Sequence, residues 1–234
     1  MKLLDVGAGR ASITASFARL YPKSQITALD ISEEALEPGR HFIKSQGITN
    51  IGFAQGSVYS LSYADNTFDV VHASQVLTHL DQPVKAIREM IRVCRPGGVV
   101  SFREAIIPTT TVYPRDQSID RWLDLLLKQI AVDGSGEVSS GARLREWCLA
   151  AGAAESEITS SAGTYCWTSP EDRTLIGSSW AERTTSSGFA KDVLSRGWSN
   201  EKELKAISDA WLEWAKKPDG WFGVMHGEAI VRAE

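Results

Sequence analysis

Short apolar runs alternate with helical stripes through the first hundred positions. Leu3, Leu4 and Val6, then Gln25 to Leu29, Ile51 to Ala54, Phe68 to Ala73 and Val99 to Phe102, have the length and composition of buried strands. Between the first two, Ile13, Phe17 and Leu20 recur at i, i+4 and i+7, which predicts a short helix that Pro22 stops. Ser32 followed by Glu33 and Glu34 marks a helix start, because the hydroxyl caps free N–H groups and the acids suit the positive end of the dipole. Pro38-Gly39 predicts a kink or break in that helix. Asp65-Asn66 reads as a turn, and Pro83 opens a helix with Val84, Ile87, Ile91 and Cys94 on one stripe, ended by Arg95-Pro-Gly-Gly98. Strand, helix, strand, helix in this order implies an α/β fold with a mostly parallel sheet and right-handed crossovers.

The second half is less regular. Arg143 to Ala151 reads as a helix closed by Gly152, Glu157 to Trp167 holds a candidate strand, and Phe222 to Val231 reads as the last strand. Trp122, Leu125, Leu126 and Ile130 form one apolar stripe, and Leu204, Ile207, Trp211, Trp214 and Ala215 another. All eight tryptophans lie between Trp122 and Trp221. Core packing explains helical spacing of this kind, and a sharper reading has Trp122, Trp211 and Trp214 roof an apolar substrate pocket. Thr109 to Thr111 and Asp133 to Gly136 read as solvated loops.

The 234 residues suffice for one α/β domain, divided into a cofactor-binding half over 1–105 and a substrate-binding or lid half over 106–234. A net charge of −4 argues against sequence-independent binding to nucleic acid, which needs a basic surface, and favours a small-molecule partner. No run approaches the roughly 18 apolar residues of a membrane span. Cys94, Cys148 and Cys166 are an odd number without CxxC spacing, so neither a disulfide framework nor a metal site is expected, and a reducing, cytoplasmic setting fits.

The chemistry concentrates at the start. Lys2-Leu-Leu-Asp5-Val-Gly7-Ala-Gly9-Arg-Ala-Ser12 is a strand running into a glycine turn, and Asp30 ends the second strand where a carboxylate can reach ribose hydroxyls. A dinucleotide fingerprint wants glycine or alanine where Ser12 stands, so a NAD-dependent dehydrogenase is disfavoured. Asp-x-Gly-x-Gly, with Asp30, Gly56-Ser57-Val58, Phe68-Asp-Val-Val, Leu77-Thr-His79 and Arg95-Pro-Gly-Gly98 in register, resembles class I S-adenosylmethionine (SAM) dependent methyltransferases. The likeness is to the small-molecule type of ubiquinone and menaquinone biosynthesis.

That resemblance implies a Rossmann-like, seven-stranded methyltransferase fold with helical lid insertions in the second half, and SAM as cofactor. It assigns cofactor contacts to Asp5, to the backbone of Gly7, Ala8 and Gly9 (methionine moiety), to Asp30 (ribose), Ile31 (adenine face), Ser57 and Val58 (adenine edge), and to Ser74 and Gln75 (methyl-donor pocket). Three features depart from the family. Ala11 takes the place of the third glycine, tolerable if its φ is negative, and Ser57 that of an aspartate. Relatives carry covering helices ahead of the first strand, whereas Met1 stands two residues before Leu3. The expected replacement is the Trp122 to Ile130 helix, the 170–217 segment, or a second copy of the chain in a homodimer.

Methyl transfer needs alignment above all, and a base helps an O- or N-acceptor. His79 and His226 are the candidates, each with a structural alternative. The function expected is methyl transfer to a lipophilic small molecule, as in secondary metabolism. Two alternatives stand beside it: a non-methylating enzyme on the same fold, such as a pericyclase or cyclase, and an inactive SAM-binding partner subunit.

Overall fold

The computed structural model describes residues 1–132 and 137–233. The loop expected at Asp133 to Gly136 lies outside them. The chain runs β1 (Lys2–Val6), α1 (Ser12–Leu20), β2 (Gln25–Asp30), α2 (Glu33–Ser45), β3 (Ile51–Gln55), β4 (Phe68–Ser74), α3 (Pro83–Val93), β5 (Cys94–Ala105), β6 (Thr111–Tyr113), α4 (Gln117–Val132), α5 (Ser140–Ala151), β7 (Ile158–Trp167), α6 (Pro170–Ser186), α7 (Gly188–Ser195), α8 (Glu201–Ala215) and β8 (Trp221–Arg232). It forms two compact units, one of Met1–Glu104, Ser140–Ala162 and Gly227–Glu234, the other of Ala105–Ser139 and Gly163–His226.

In the first unit the strands lie in the order β3-β2-β1-β4-β5-β8, with β7 pairing β8, seven in all. The β1–β2, β1–β4, β2–β3 and β4–β5 pairs are parallel, each in the register that brings the carboxyl ends to one edge. Alternation along β1 decides which side chain meets which helix layer. Leu4 and Val6 join Val71, Val100 and Phe102 against Ile87, Met90 and Trp147 from α3 and α5. Leu3 joins Ala18 and Ile26 on the other face. Asp5 shares the Leu3 side, which is why it reaches α1.

The first helix has the expected limits but a different inward face. Thr14, Ala15 and Ala18 are buried, whereas Ile13 and Leu20 are exposed. Small residues let α1 sit close to the sheet, and that closeness outweighs the larger apolar stripe. The expected break at Pro38-Gly39 is absent, because α2 runs unbroken through both. Pro38 removes one helical donor, while Gly39 allows a close approach: a Cβ there would lie 3.1 Å from the Gly9 carbonyl oxygen and from the Arg10 carbonyl carbon. Cys94, expected on the α3 stripe, instead begins β5, so Arg95-Pro-Gly-Gly98 belongs to that strand. The register with β4 shifts between Phe68–Cys94 and Val70–Val99, which absorbs the extra residues as a bulge.

The second unit is built on α4, α6, α7 and α8, with β6 antiparallel to the first residues of β8. Trp122, Trp211 and Trp214 are at most 1% exposed and pack with Ile119, Leu125 and Phe222. The Trp122 and Trp211 rings meet edge to face at 4.9 Å, and the Trp214 indole donates to the Tyr113 carbonyl at 3.0 Å. Among the described residues no helix is long and apolar enough to cross a membrane.

Candidate functional site

The carboxyl ends of β1, β2, β3 and β4 border a cleft of about 430 Å³. Open parallel sheets bind ligands at this edge, where successive strands diverge to helices on opposite faces. Four stretches of chain line it: Val6 and Gly7, Leu29 to Ile31, Gly56 to Tyr59, and Gln75, Val76 and His79 to Asp81.

The glycine turn is left-handed at three alternate residues, with φ of +67° at Gly7, +48° at Gly9 and +57° at Ala11. Ala11 therefore departs from the negative φ at which an alanine would be tolerable here, at a cost of roughly 1–2 kcal/mol for a residue with a Cβ. Its methyl is fully buried beside Ala15 and Ile43, which offsets part of that strain. Gly7 is required for a second reason. A Cβ built on it would stand 2.3 Å from Cγ2 of Val76, so the first turn and the exit of β4 share that space.

Asp30 turns from the end of β2 toward the turn. One carboxylate oxygen accepts the Gly9 N–H at 3.0 Å, and the other accepts the Ser32 N–H at 3.1 Å. The Ala8 N–H donates to the Leu29 carbonyl at 3.0 Å. The donors of Ala8 and Gly9, assigned by resemblance to the methionine moiety, thus serve to hold the turn to β2. Ala8 and Gly9 shape the turn without lining the cleft. Asp30 and Ile31 do line it, and Ile31 is 69% exposed at its rim.

Asp5 lies beneath the turn rather than in the cleft. It is 3% exposed and accepts the Thr14 hydroxyl at 2.5 Å. Burial pushes its carboxyl up to about 7, against the opposing pull of that hydrogen bond. At the far end Ser57 and Val58 line the cleft, the Ser57 hydroxyl accepting the Tyr59 N–H at 3.3 Å. The Tyr59 hydroxyl donates to the Asp81 carboxylate, joining the chain after β3 to the chain after β4. Sequence inspection missed this pair, since nothing in the spacing of positions 59 and 81 signals contact.

Gln75 and His79 line the wall after β4, whereas Ser74 pairs with Arg103 in the sheet and is not part of the lining. Gln75 is left-handed at φ +58° and its N–H donates to the Arg103 carbonyl at 2.9 Å. His226, Trp122, Trp211 and Trp214 are not among the lining residues. His226 belongs to the second unit, 4% exposed, with Nδ1 3.2 Å from the Val224 carbonyl and the Tyr165 ring edge-on at 4.7 Å. The roof assigned to Trp122, Trp211 and Trp214 is corrected likewise, because their rings are interior packing of that unit. Among the described residues no cluster of His, Cys, Asp and Glu is suited to a metal.

A cleft with a carboxylate at the end of β2, an open apolar rim and a glycine turn fits an adenosyl group, and defines a nucleotide-cofactor enzyme of the Rossmann-like kind. A model of the methyltransferase domain matches residues 4–102. The uncharacterised methyltransferase C1B3.06c of Schizosaccharomyces pombe is 31% identical over 240 residues, spanning 100% of this chain and 84% of that protein. The ubiquinone/menaquinone biosynthesis C-methyltransferase UbiE of Pasteurella multocida is 35% identical over 118 residues, 48% of this chain and 44% of that protein. A crystal structure from Bacillus halodurans C-125 shares the fold with a TM-score of 0.60, at 17% identity, over 99% of this chain and 92% of that one. The chain belongs to the class I SAM-dependent methyltransferases, and its cofactor is S-adenosyl-L-methionine.

Gly7→Ala should destabilise the protein by about 2–4 kcal/mol, combining the left-handed strain with the overlap on Val76. It should also weaken S-adenosylhomocysteine binding at least tenfold; urea titration and calorimetry measure the two.

The Asp5 carboxyl favours the folded state when protonated, a contribution complete below its ordinary 3.8 and lost as pH rises through about 7. Asp5→Asn does not titrate, so its stability relative to the native chain should be about 2 kcal/mol greater at pH 8 than at pH 5.5. Urea unfolding at the two pH values reads this difference.

Proposed function

We propose that the enzyme transfers the methyl group of SAM to a lipophilic small molecule, with His79 as the base beside the reacting groups. The observation that carries this is the wall after β4, where Gln75 and His79 line the same cleft as Asp30, Ser57 and Val58. With the adenine at Ser57 and Val58 and the ribose on Asp30, the sulfonium would lie toward Gly7 and Gln75. Asp30 retains lone pairs beyond its two backbone bonds, so it can accept ribose hydroxyls while still holding the turn.

The acceptor's lone pair would attack the methyl carbon in line, and the electrons of the breaking bond would pass to sulfur, leaving S-adenosylhomocysteine. Holding the two reactants in register can supply about 7–11 kcal/mol of the barrier. A proton lost from an oxygen or nitrogen acceptor would go to the His79 imidazole. The lipophilic class is supported by the likeness to UbiE, whose name places it in quinone biosynthesis.

Incubation with methyl-labelled SAM and an organic extract should produce S-adenosylhomocysteine and a label that partitions into the organic phase. A substrate converted with SAM recovered intact would instead establish the cyclase-type reading, and label confined to water-soluble product would refute a lipophilic acceptor.

His79→Ala should lower kcat by about 10²-fold for an O- or N-acceptor, with the dissociation constant for SAM changed less than threefold. A loss in cofactor affinity with kcat retained would make His79 a wall residue only.

A further inference from the structure

Glu104, at the end of β5, is fully buried, and among the described residues no cation pairs with it. Its carboxylate instead accepts three successive backbone donors from the chain leaving β4. Oε1 takes the N–H groups of Val76 at 2.8 Å and Leu77 at 2.9 Å, and Oε2 that of Thr78 at 3.3 Å. With the bond from the Gln75 N–H to the Arg103 carbonyl, four consecutive donors end on two residues of β5.

A buried carboxylate is an expensive way to satisfy a short turn, since a serine or aspartate within the turn would serve locally. Burial pushes the Glu104 carboxyl up to about 7 even with the three donors opposing it. What the distant acceptor adds is a fixed position for the turn relative to β5, and that turn carries Gln75, Val76 and His79 into the cleft. Val76 in turn occupies the space a Cβ of Gly7 would need, so its placement also sets how far the glycine turn can close.

We propose that Glu104 is a positioning residue for the cofactor cleft, holding Val76 against Gly7 and the 75–79 wall in place through the N–H groups of residues 76–78. This deepens the reading of the cleft as the SAM site and rests on it. The group touches no reacting atom, so its effect should appear first in cofactor affinity.

The test compares the full chain with Glu104→Gln, Glu104→Ala and Val100→Ala, the last a cavity in the sheet core away from the cleft lining. S-adenosylhomocysteine affinity is measured by calorimetry at a temperature where circular dichroism shows each variant folded, and amide exchange is followed at residues 76–78. Glu104→Ala should bind at least tenfold more weakly, with faster exchange at those amides. Glu104→Gln, which keeps one acceptor oxygen but turns a donor toward the turn, should fall between it and the native chain.

Val100→Ala should lower the melting temperature with affinity within twofold of native. Affinity within twofold of native in Glu104→Ala would overturn the proposal. Should that variant not fold, unchanged affinity in Glu104→Gln would overturn it, and a loss of threefold or more would support it. No binding to the native chain would overturn the cofactor reading itself, and this proposal with it.

Discussion

The cleft depends on a single close approach: Gly7 and Val76 meet where a Cβ on the first would collide with the side chain of the second. Parallel strands β1 and β4 are neighbours, so the segments leaving them must diverge within a few residues. The glycine turn leaves left-handed at Gly7, and β4 leaves left-handed at Gln75. Each backbone conformation is held by a carboxylate or carbonyl one strand away: Asp30 on the first turn, Glu104 and the Arg103 carbonyl on the second. The binding surface is thereby fixed by strands, which the packed core holds still, rather than by loops alone.

This arrangement carries a thermodynamic penalty. Asp5 and Glu104 are both buried carboxyls raised to about 7, one beneath each turn. Neutral side chains would be cheaper to bury at neutral pH. Asp5 ties β1 to α1 through the Thr14 hydroxyl, and Glu104 ties β5 to the turn after β4. Ala11 fits the same pattern, since it accepts left-handed strain while its methyl fills the space between α1 and α2.

The second unit is stabilised differently. Its interior is a group of aromatic rings in edge-to-face and tilted contact, Trp122 with Trp180 at 4.4 Å and Trp211 with Trp214 at 5.5 Å. Such rings bury large apolar area, and their fixed geometry leaves little freedom at the helix crossings. Trp122, Trp180, Trp211 and Trp214 thus hold α4, α6 and α8 together.

The strand-and-helix alternation, the parallel sheet, the glycine turn and the acid ending β2 were all legible in the chain, because each is a local property of composition and period. Family membership was legible for the same reason, as several short motifs fell in register. Contacts distant in sequence were not. The partnership of Tyr59 with Asp81, the three donors gathered by Glu104 and the Gly7–Val76 approach join residues whose separation obeys no period, so only the packed sheet brings them together. The same limit explains the misplaced details. Pro38-Gly39 stays helical because tertiary packing of α2 on the glycine turn outweighs local propensity, and the inward face of α1 is chosen by the space beside the sheet rather than by the largest apolar residues. Sequence by itself determined the strand-and-helix alternation of the first hundred residues and what cofactor it suits, but not β6, which begins at Thr111 where a solvated loop was expected; tertiary structure decided which side chains reach the cleft, since burial and approach depend on strands far apart along the chain.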